Sequence, residues 1–457
     1  MTKSEAYHNK MVNTNVMKLI LLLGIPTTIS MLITNIYNLV DTYYVGTLGV
    51  SEQGSIGVLF TLQAIIQAFA FMLGHGSGTY VAKKLADKDI KDASHYVSGA
   101  FYLGFLIGIL LLSFGLIFLK PFMILLGSSD TILPYAKDYG MWVLISSPFM
   151  ITSLIINNNL RYEGKAFYAM IGITSGALLN ILGDHIFINY CHLGVFGAGM
   201  STAISQIISF IILLFFYLKM AQTSLSIKYV KFQFRIYFDI IKGGLPSLLR
   251  QGLSSISGGV LNNLTKPFGD SAVAAISVVN RFANFVMCIG IGIGQGLQPV
   301  SAYNYEIKRY DRVRKGTLFT IIFATAVISL IAIITLFIPD KIMYSFNKDE
   351  DVITLGVIAL RLSAISLMFM PLAHITNMTF QSIRKSSIAS FLSALRSGLI
   401  FIPLIYILIY GFNMGFNGIA LAQPLADIIT FVICLPCLII FIYKLYKKEK
   451  MELEVNE

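Results

Sequence analysis

Charged residues are scarce in this sequence. Only 12% of its 457 residues are charged and 56% are hydrophobic, whereas a soluble protein carries about 25% charged residues. There are too few charges to cover a water-facing surface, which excludes an ordinary soluble protein. Together with the mean hydropathy of +0.75, this composition predicts an all-α polytopic membrane protein.

Cysteine is also scarce, with four residues that all lie in apolar stretches. They form no paired framework of the kind that indicates disulfides or a metal knuckle. Cys434 and Cys437 make a C-x-x-C pattern, but it lies inside an apolar run that we assign to a membrane helix. We therefore predict neither a structural metal nor a cofactor.

Long apolar runs, by contrast, are abundant. Runs of about 20 residues are long enough to cross a bilayer, and they must be helical because lipid offers the backbone no hydrogen-bond partners. We count twelve such runs: 18–43, 53–78, 97–119, 133–156, 167–190, 195–218, 237–264, 272–298, 316–338, 353–378, 388–410 and 417–443.

Lysine and arginine are unevenly distributed between the two sides of these runs. The side that holds the N-terminus carries 25 of them, the opposite side five, and the spans themselves four. The positive-inside rule then places both termini in the cytoplasm, and we assign the chain to the plasma membrane of a bacterium. Topology thus accounts for the net charge of +11, and we predict no nucleic-acid partner.

The two halves of the chain repeat each other at a constant offset. Gly24-Ile25-Pro26 aligns with Gly244-Leu245-Pro246. One residue is inserted in the second half near the sixth span, so that Phe196-Gly197 aligns with Asn417-Gly418. The sequence therefore contains an internal duplication that covers essentially all of the predicted spans.

This duplication predicts the domain organisation. Each half holds six helices, so both halves have the same orientation and form a parallel repeat about an axis along the membrane normal. We predict a bundle over 1–218, a basic cytoplasmic linker over 219–236, and a second bundle with a short cytoplasmic tail over 237–457.

Acidic residues are almost absent from the predicted spans. Only Asp41, Asp184 and Asp427 fall clearly within them, and a charge at a helix centre costs about 2.5–3.5 kcal/mol, so such residues suggest function. The repeat aligns Asp41 and Asp184 with Leu261 and Leu404. The N-terminal bundle therefore carries a polar site that its twin lacks.

Other oxygen-bearing residues are predicted to gather near these two carboxylates. Tyr37 lies four residues before Asp41 and Asn180 four before Asp184, so each pair shares one helix face. Such oxygens suit a proton or Na⁺, although the same groups could simply hydrogen-bond helices together. The predicted cation-coupling residues are Asp41, Asp184, Asn180, Thr202, Tyr37 and Tyr139. Those predicted to bind the ion if it is Na⁺ are Asp41, Asn180, Asp184 and Thr202.

Further polar residues and one proline within the spans suggest other roles. Pro26 removes the helical donor to the carbonyl of Leu22 and predicts a kink, which we interpret as a conformational hinge. The arginines at 250 and 396 are expected to face the interior, where they could pair with the aspartate at 427 or attract an anionic ligand. The residues that could line a substrate cavity are Asp427, Gln251, His374 and Arg250.

Pro26, the segment Asp41-Thr42-Tyr43-Tyr44-Val45-Gly46, Asn180, Asp184 and the internal repeat together resemble the multidrug and toxic compound extrusion (MATE) family. The chain is most similar to its DinF/MepA-like branch. The resemblance implies secondary active efflux of bulky, often cationic, amphipathic compounds in exchange for protons or sodium, with the N-terminal polar network taking the ion. The implied partners are small-molecule drugs or toxins and the lipid bilayer, with no obligatory protein partner.

Two other functions stay open from the sequence. A flippase for lipid-linked cell-envelope precursors would need a strongly cationic cavity, to which Arg250, Arg281, Arg361 and Arg396 could contribute. A membrane enzyme would need a cluster of catalytic side chains, such as histidine and aspartate at short spacing. The one aspartate with a histidine next to it in the sequence is Asp184, beside His185. Neighbours on a helix point about 100° apart, so we predict that the protein is not an enzyme.

Overall fold

A computed structural model describes residues 3–456 of the chain, which are predominantly helical and contain no strand within that range. Most of the helices are long and apolar, as lipid requires of spanning segments. In chain order the α-helices are α1 Lys3–Asn13, α2 Val16–Gly46, α3 Val50–Ala86, α4 Ile90–Ile117, α5 Leu119–Leu125, α6 Leu133–Tyr162, α7 Ala166–Asp184, α8 Gly194–Met220, α9 Phe234–Thr265, α10 Asp270–Glu306, α11 Tyr310–Phe337, α12 Pro339–Phe346, α13 Glu350–Leu367, α14 Met370–Ser382, α15 Ser386–Ala394, α16 Phe401–Tyr406 and α17 Gly415–Asn456.

These helices supply the predicted membrane spans. Among the described residues ten helical segments are long and apolar enough to cross a bilayer, and the pair α13 and α14, bent by 48°, makes an eleventh. The remaining predicted span is α9, which is 32 residues long and more polar because it includes Lys242, Arg250 and several serines. The predicted all-α fold of twelve spans is confirmed.

The helix boundaries reproduce the repeat seen in the sequence. Helices α4 and α11 begin at Ile90 and Tyr310, which the repeat aligns, and they also end at aligned residues. The short helices α5 and α12, which the hydropathy pattern did not predict, likewise begin at aligned residues. Helices α8 and α17 begin at Gly194 and Gly415, which align once the inserted residue is taken into account. The two halves therefore share a backbone plan down to their short interhelical segments.

The chain divides into two compact units that differ from the two halves of the repeat. Unit 1 comprises the residues up to Lys10 together with Ile29–Gln251, and unit 2 comprises Met11–Thr28 together with the chain from Gly252 onwards. The first part of α2 thus belongs with the C-terminal spans, and the first part of α9 with the N-terminal ones. The predicted boundaries at 218 and 237 follow the sequence repeat and stay a prediction.

Glycine pairs allow this exchange of helix segments, because they let two helix backbones approach closely. In unit 2, a Cβ added to Gly296 of α10 would lie 2.5 Å from the backbone nitrogen of Gly24 in α2. In unit 1, a Cβ added to Gly76 of α3 would collide with the carbonyl oxygen of Ile240 and lie 3.1 Å from the nitrogen of Gly244 in α9. The repeat aligns the glycines of one pair with those of the other, so each unit contains the same close contact between two helix backbones.

Candidate cation-binding site

The six predicted coupling residues all lie in unit 1, on α2, α6, α7 and α8. The two carboxylates are almost completely buried, with Asp41 4% and Asp184 0% exposed. Asp184 is the last residue of α7 before the chain continues as a π-helix over His185–Tyr190. Burial of two acidic side chains is expensive unless they are protonated, paired or bound to a cation.

Tyr139 of α6 joins the first carboxylate to α8. Its hydroxyl donates to Oδ2 of Asp41 at 2.9 Å and lies 2.9 Å from Oγ1 of Thr202. Because the tyrosine hydroxyl has one hydrogen and gives it to the carboxylate, Thr202 must donate to Tyr139. Three helices are thereby tied together through one phenol oxygen.

Asn180 of α7 continues this chain toward the second carboxylate. Its Nδ2 lies 3.2 Å from Oγ1 of Thr202, 3.3 Å from Oγ of Ser201 and 3.4 Å from Oδ1 of Asp184. The amide has two hydrogens for these three acceptors, and Ser201 returns a bond to the carbonyl oxygen of Asn180 at 3.0 Å. The contact with Asp184 is the longest of the three, and this residue forms one end of a network that begins at Asp41.

Three buried acceptor oxygens in this network lack a donor. Oδ1 of Asp41, Oδ1 of Asn180 and Oδ2 of Asp184 make no hydrogen bond to any of residues 3–456. Buried polar atoms are nearly always satisfied in proteins, and an exception calls for an explanation such as an ion or a functional role. All three are oxygen atoms, and such oxygens can bind either a proton or a hard monovalent cation such as Na⁺.

Two more side chains border the network. Tyr37, one helical turn before Asp41 on α2, is 9% exposed and lies within electrostatic range of both carboxylates. Ser201, which the sequence analysis did not single out, is 2% exposed and bonds to Asn180 in both directions. Its adjacency to Thr202 was the available signal, but serine is too common in membrane helices for that position to stand out.

In unit 2 the repeat partners of four of the six predicted coupling residues are apolar. Leu261, Ile400 and Leu404, the repeat partners of Asp41, Asn180 and Asp184, belong to one hydrophobic cluster that includes Phe401. Ala359, the partner of Tyr139, is buried in the same cluster. The same backbone plan thus places two carboxylates in one unit and leucines at the matching positions of the other.

Asp427, the third intramembrane carboxylate, has a different environment in unit 2. Arg396 Nε donates to its Oδ1 at 2.6 Å, Gln423 Nε2 donates to the same oxygen at 2.9 Å, and Ser366 donates to Oδ2 at 3.1 Å. The pairing with Arg396 that the sequence left open is therefore present. A substrate role for Asp427 stays a prediction.

The other predicted cavity residues are divided between the two units. Arg250 lies in unit 1, where its Nη2 is 3.5 Å from Oγ of Ser247. Gln251 is the last residue of the same unit and is half-buried. His374 lies in unit 2 with Nδ1 3.3 Å from the carbonyl oxygen of Met370. Their predicted contact with substrate stays a prediction.

Pro26 lies within α2, which continues as one helix from Val16 to Gly46. The hydroxyls of Thr27 and Thr28 donate to the carbonyl oxygens of Leu23 and Gly24 at 2.9 and 3.0 Å. Such bonds to the preceding turn often accompany helix bending. The hinge role of Pro26 stays a prediction.

A buried acidic residue outside the spans was missed from the sequence. Glu163, directly after α6, is 0% exposed and accepts hydrogen bonds from the backbone nitrogen of Gln222 at 2.5 Å, from Tyr217 at 3.3 Å and from Thr223. Burial raises the pKa of this carboxyl, and the hydrogen bonds oppose that rise. Glu163 thus ties the chain after α8 to the end of α6.

Comparison with known proteins identifies the family. The MatE family model matches residues 26–186 and 246–407, one segment in each half of the repeat. The chain belongs to the MatE family. The predicted family is thereby confirmed, and membership makes the chain a transporter.

Relatives and solved structures agree with this assignment. The chain is 28% identical to the multidrug export protein MepA of Staphylococcus haemolyticus, over 86% of this chain and 87% of that protein. It is 26% identical to MepA of Staphylococcus aureus strain MSSA476, over 92% and 93%. A MATE protein crystallised in complex with MaL6 has the same fold, with a TM-score of 0.90 at 22% identity over 96% of this chain and 99% of that one. An outward-facing multidrug resistance MATE transporter gives 0.89 at 22% identity over 95% and 98%.

Proposed function

We propose that this MatE-family chain is a secondary active multidrug exporter of a bacterial plasma membrane. It expels bulky amphipathic, often cationic, compounds in exchange for protons or sodium. Membership of the family and the MepA relatives support export of drugs. The observation that carries ion coupling is the set of three unpaired buried oxygens on Asp41, Asn180 and Asp184.

In the proposed cycle, the network takes up an ion when it faces outward. A proton or Na⁺ supplies the positive charge that the oxygens of Asp41 and Asp184 lack within the described protein. Neutralisation weakens the attraction of the site for a cationic drug, which then leaves. The ion departs on the inner side and the drug binds again. Antiport requires this opposite preference, which is a coupling free energy between the two ligands.

The hydrogen-bond chain gives a route by which one ion could affect four helices. Tyr139 bridges Asp41 and Thr202, and Asn180 bridges Thr202 and Asp184. Ion binding at either end changes the acceptor strength of that carboxylate, so the shared donors must redistribute. We propose that Pro26 lets α2 bend in response. We also propose, from the distribution of lysine and arginine, that both termini lie in the cytoplasm.

The test is ethidium-driven proton release from proteoliposomes that contain the purified protein. Wild-type protein should release protons only when ethidium is present, and Asp41→Asn should abolish the release. Asp130→Asn, which removes an exposed carboxylate before α6, is the matched control and should behave as wild type. Ethidium movement driven by a sodium gradient alone would assign Na⁺ as the coupling ion. A wild-type protein that moves ethidium under neither gradient would overturn the proposal.

The flippase alternative is less well supported by the placement of the arginines. Arg281 and Arg396 line a cavity in unit 2, but Arg396 is paired with Asp427. Arg361 is exposed and does not line that cavity. A diphosphate headgroup calls for several uncompensated cations, and this cavity offers one.

A further inference from the structure

Unit 2 contains a cavity of about 370 Å³ that lies at the Arg396–Asp427 pair. Its volume falls in the range of about 300–1,000 Å³ that is typical of small-molecule sites. The cavity is bordered by α9, α10, α13 and α17 and by the π-helix over Leu395–Ile400. Every lining residue belongs to unit 2, so the cavity is a feature of that unit alone.

The cavity carries one uncompensated positive charge. Asp427 is neutralised by Arg396 at 2.6 Å. Arg281 also lines the cavity, is exposed, and makes no ion pair or hydrogen bond with any of residues 3–456. The one acidic side chain in that range that lines the cavity is Asp427, which is paired with Arg396. An ionised residue within a membrane helix that has no protein partner is by default a candidate for function.

Amide groups surround this guanidinium. Asn262, Asn280 and Asn284 line the same cavity, and their side chains form no hydrogen bond within the described protein. The lining therefore offers amide N–H donors and a planar guanidinium fork at once. An oxyanion matches this set, because the guanidinium presents paired donors to a carboxylate or phosphate.

The repeat shows that this chemistry is specific to unit 2. It aligns Asn280, Arg281 and Asn284 with Phe60, Thr61 and Ala64. None of the three side chains in the first half carries a charge. Shared architecture therefore does not account for a guanidinium and two amides so close together on α10.

We propose that the cavity in unit 2 binds an organic molecule through a single oxyanion group held by Arg281, with the neighbouring asparagines as further donors. Because Arg396 is occupied by Asp427, one guanidinium is free, which suits one carboxylate or phosphate better than a diphosphate. This inference rests on the proposed export function for its physiological meaning, and it adds anionic and zwitterionic amphiphiles to the substrate class. Binding itself can be measured without transport.

The experiment is equilibrium binding of dansylglycine to the purified full-length protein in detergent, followed by dansyl fluorescence. Dansylglycinamide, which lacks the carboxylate charge, is the matched probe and should bind about tenfold more weakly, as expected for loss of one charge-assisted hydrogen bond. Arg281→Gln should remove that preference and Arg281→Lys should keep part of it. Arg361→Gln, which removes an exposed guanidinium elsewhere in unit 2, should bind like wild type.

Competition distinguishes the two sources of the oxyanion. Displacement by benzoate that is stronger than by geranyl phosphate assigns a carboxylate ligand, and the reverse order assigns a lipid-type phosphate. Equal binding of dansylglycine and its amide, or an unchanged preference in Arg281→Gln, would overturn the proposal. Binding should persist in Asp41→Asn, whose loss of ethidium transport is expected from the proposed function. Wild-type protein that binds dansylglycine but moves ethidium under neither gradient would count against the export function and leave this site intact.

Discussion

The ion pair between Arg396 and Asp427 predicts an unequal response to the loss of either partner. Asp427 is 2% exposed and Arg396 25% exposed at their side chains. Removing one partner of a buried pair costs about 3–5 kcal/mol because it strands the other charge. Arg396→Met should cost about that amount, since it strands the more deeply buried carboxylate. Asp427→Asn should cost less than that, because the guanidinium it leaves unpaired is the less buried of the two groups.

The double change Arg396→Met with Asp427→Asn should cost less than the sum of the two single changes, because it leaves no stranded charge. The free energy of unfolding would be measured by titrating the detergent-purified variants with sodium dodecyl sulfate and recording helical circular dichroism. Additive single costs, or a larger cost for Asp427→Asn than for Arg396→Met, would refute the reasoning. Ethidium transport by the same variants would then separate a structural role of Asp427 from a substrate role.

Three further predictions follow from other contacts. Tyr139→Phe removes the hydroxyl that bridges two helices, so ethidium-driven proton release should fall about tenfold, while an unchanged melting temperature would show that the fold survives. Gly296→Val should abolish folded protein on size-exclusion chromatography because its Cβ would meet the backbone of another helix, whereas Gly57→Val, with nothing within 4 Å, should be tolerated. Burial raises the pKa of Glu163, so its contribution to stability is fully present below the unfolded pKa of about 4.3 and is lost as pH rises through the folded value. The melting temperature of wild type should therefore fall toward neutral pH relative to Glu163→Gln, and parallel pH profiles would contradict this.

Sequence spacing could predict part of the hydrogen-bond network around Asp41 and Asp184 because helical geometry relates residues four apart. Asn180 and Asp184 share a face on these grounds, and they are hydrogen-bonded in the structure. The prediction that Tyr139 joins the network rested instead on its expected depth in the bilayer, which had to match the depth of Asp41 on another span. Hydropathy located the spans because lipid imposes a length and an apolar composition on them.

What the sequence could not supply depends on which surfaces pack together. Hydropathy runs treat α2 as one span, whereas its first part belongs to unit 2 and the rest to unit 1. Glu163 lies in a basic interhelical segment, where an acidic residue is ordinarily exposed, and its burial follows from packing against the chain after α8. The free guanidinium of Arg281 could not be predicted either, because a sequence does not show which arginines have partners.

The two units therefore use one backbone plan for opposite chemistry. In unit 1 two buried carboxylates, Asp41 and Asp184, bond to no basic side chain among the described residues. In unit 2 the matching positions are leucines, and a cavity lined in part by one of them, Leu261, holds a paired aspartate and the unpaired Arg281. A duplicated bundle starts with equal sites, so a difference in polarity requires substitutions in at least one copy. The proposed exchange therefore places ion binding in unit 1, where the coupling free energy comes from the opposite preferences of ion and drug for the two carboxylates, and it leaves unit 2 without an equivalent ion site.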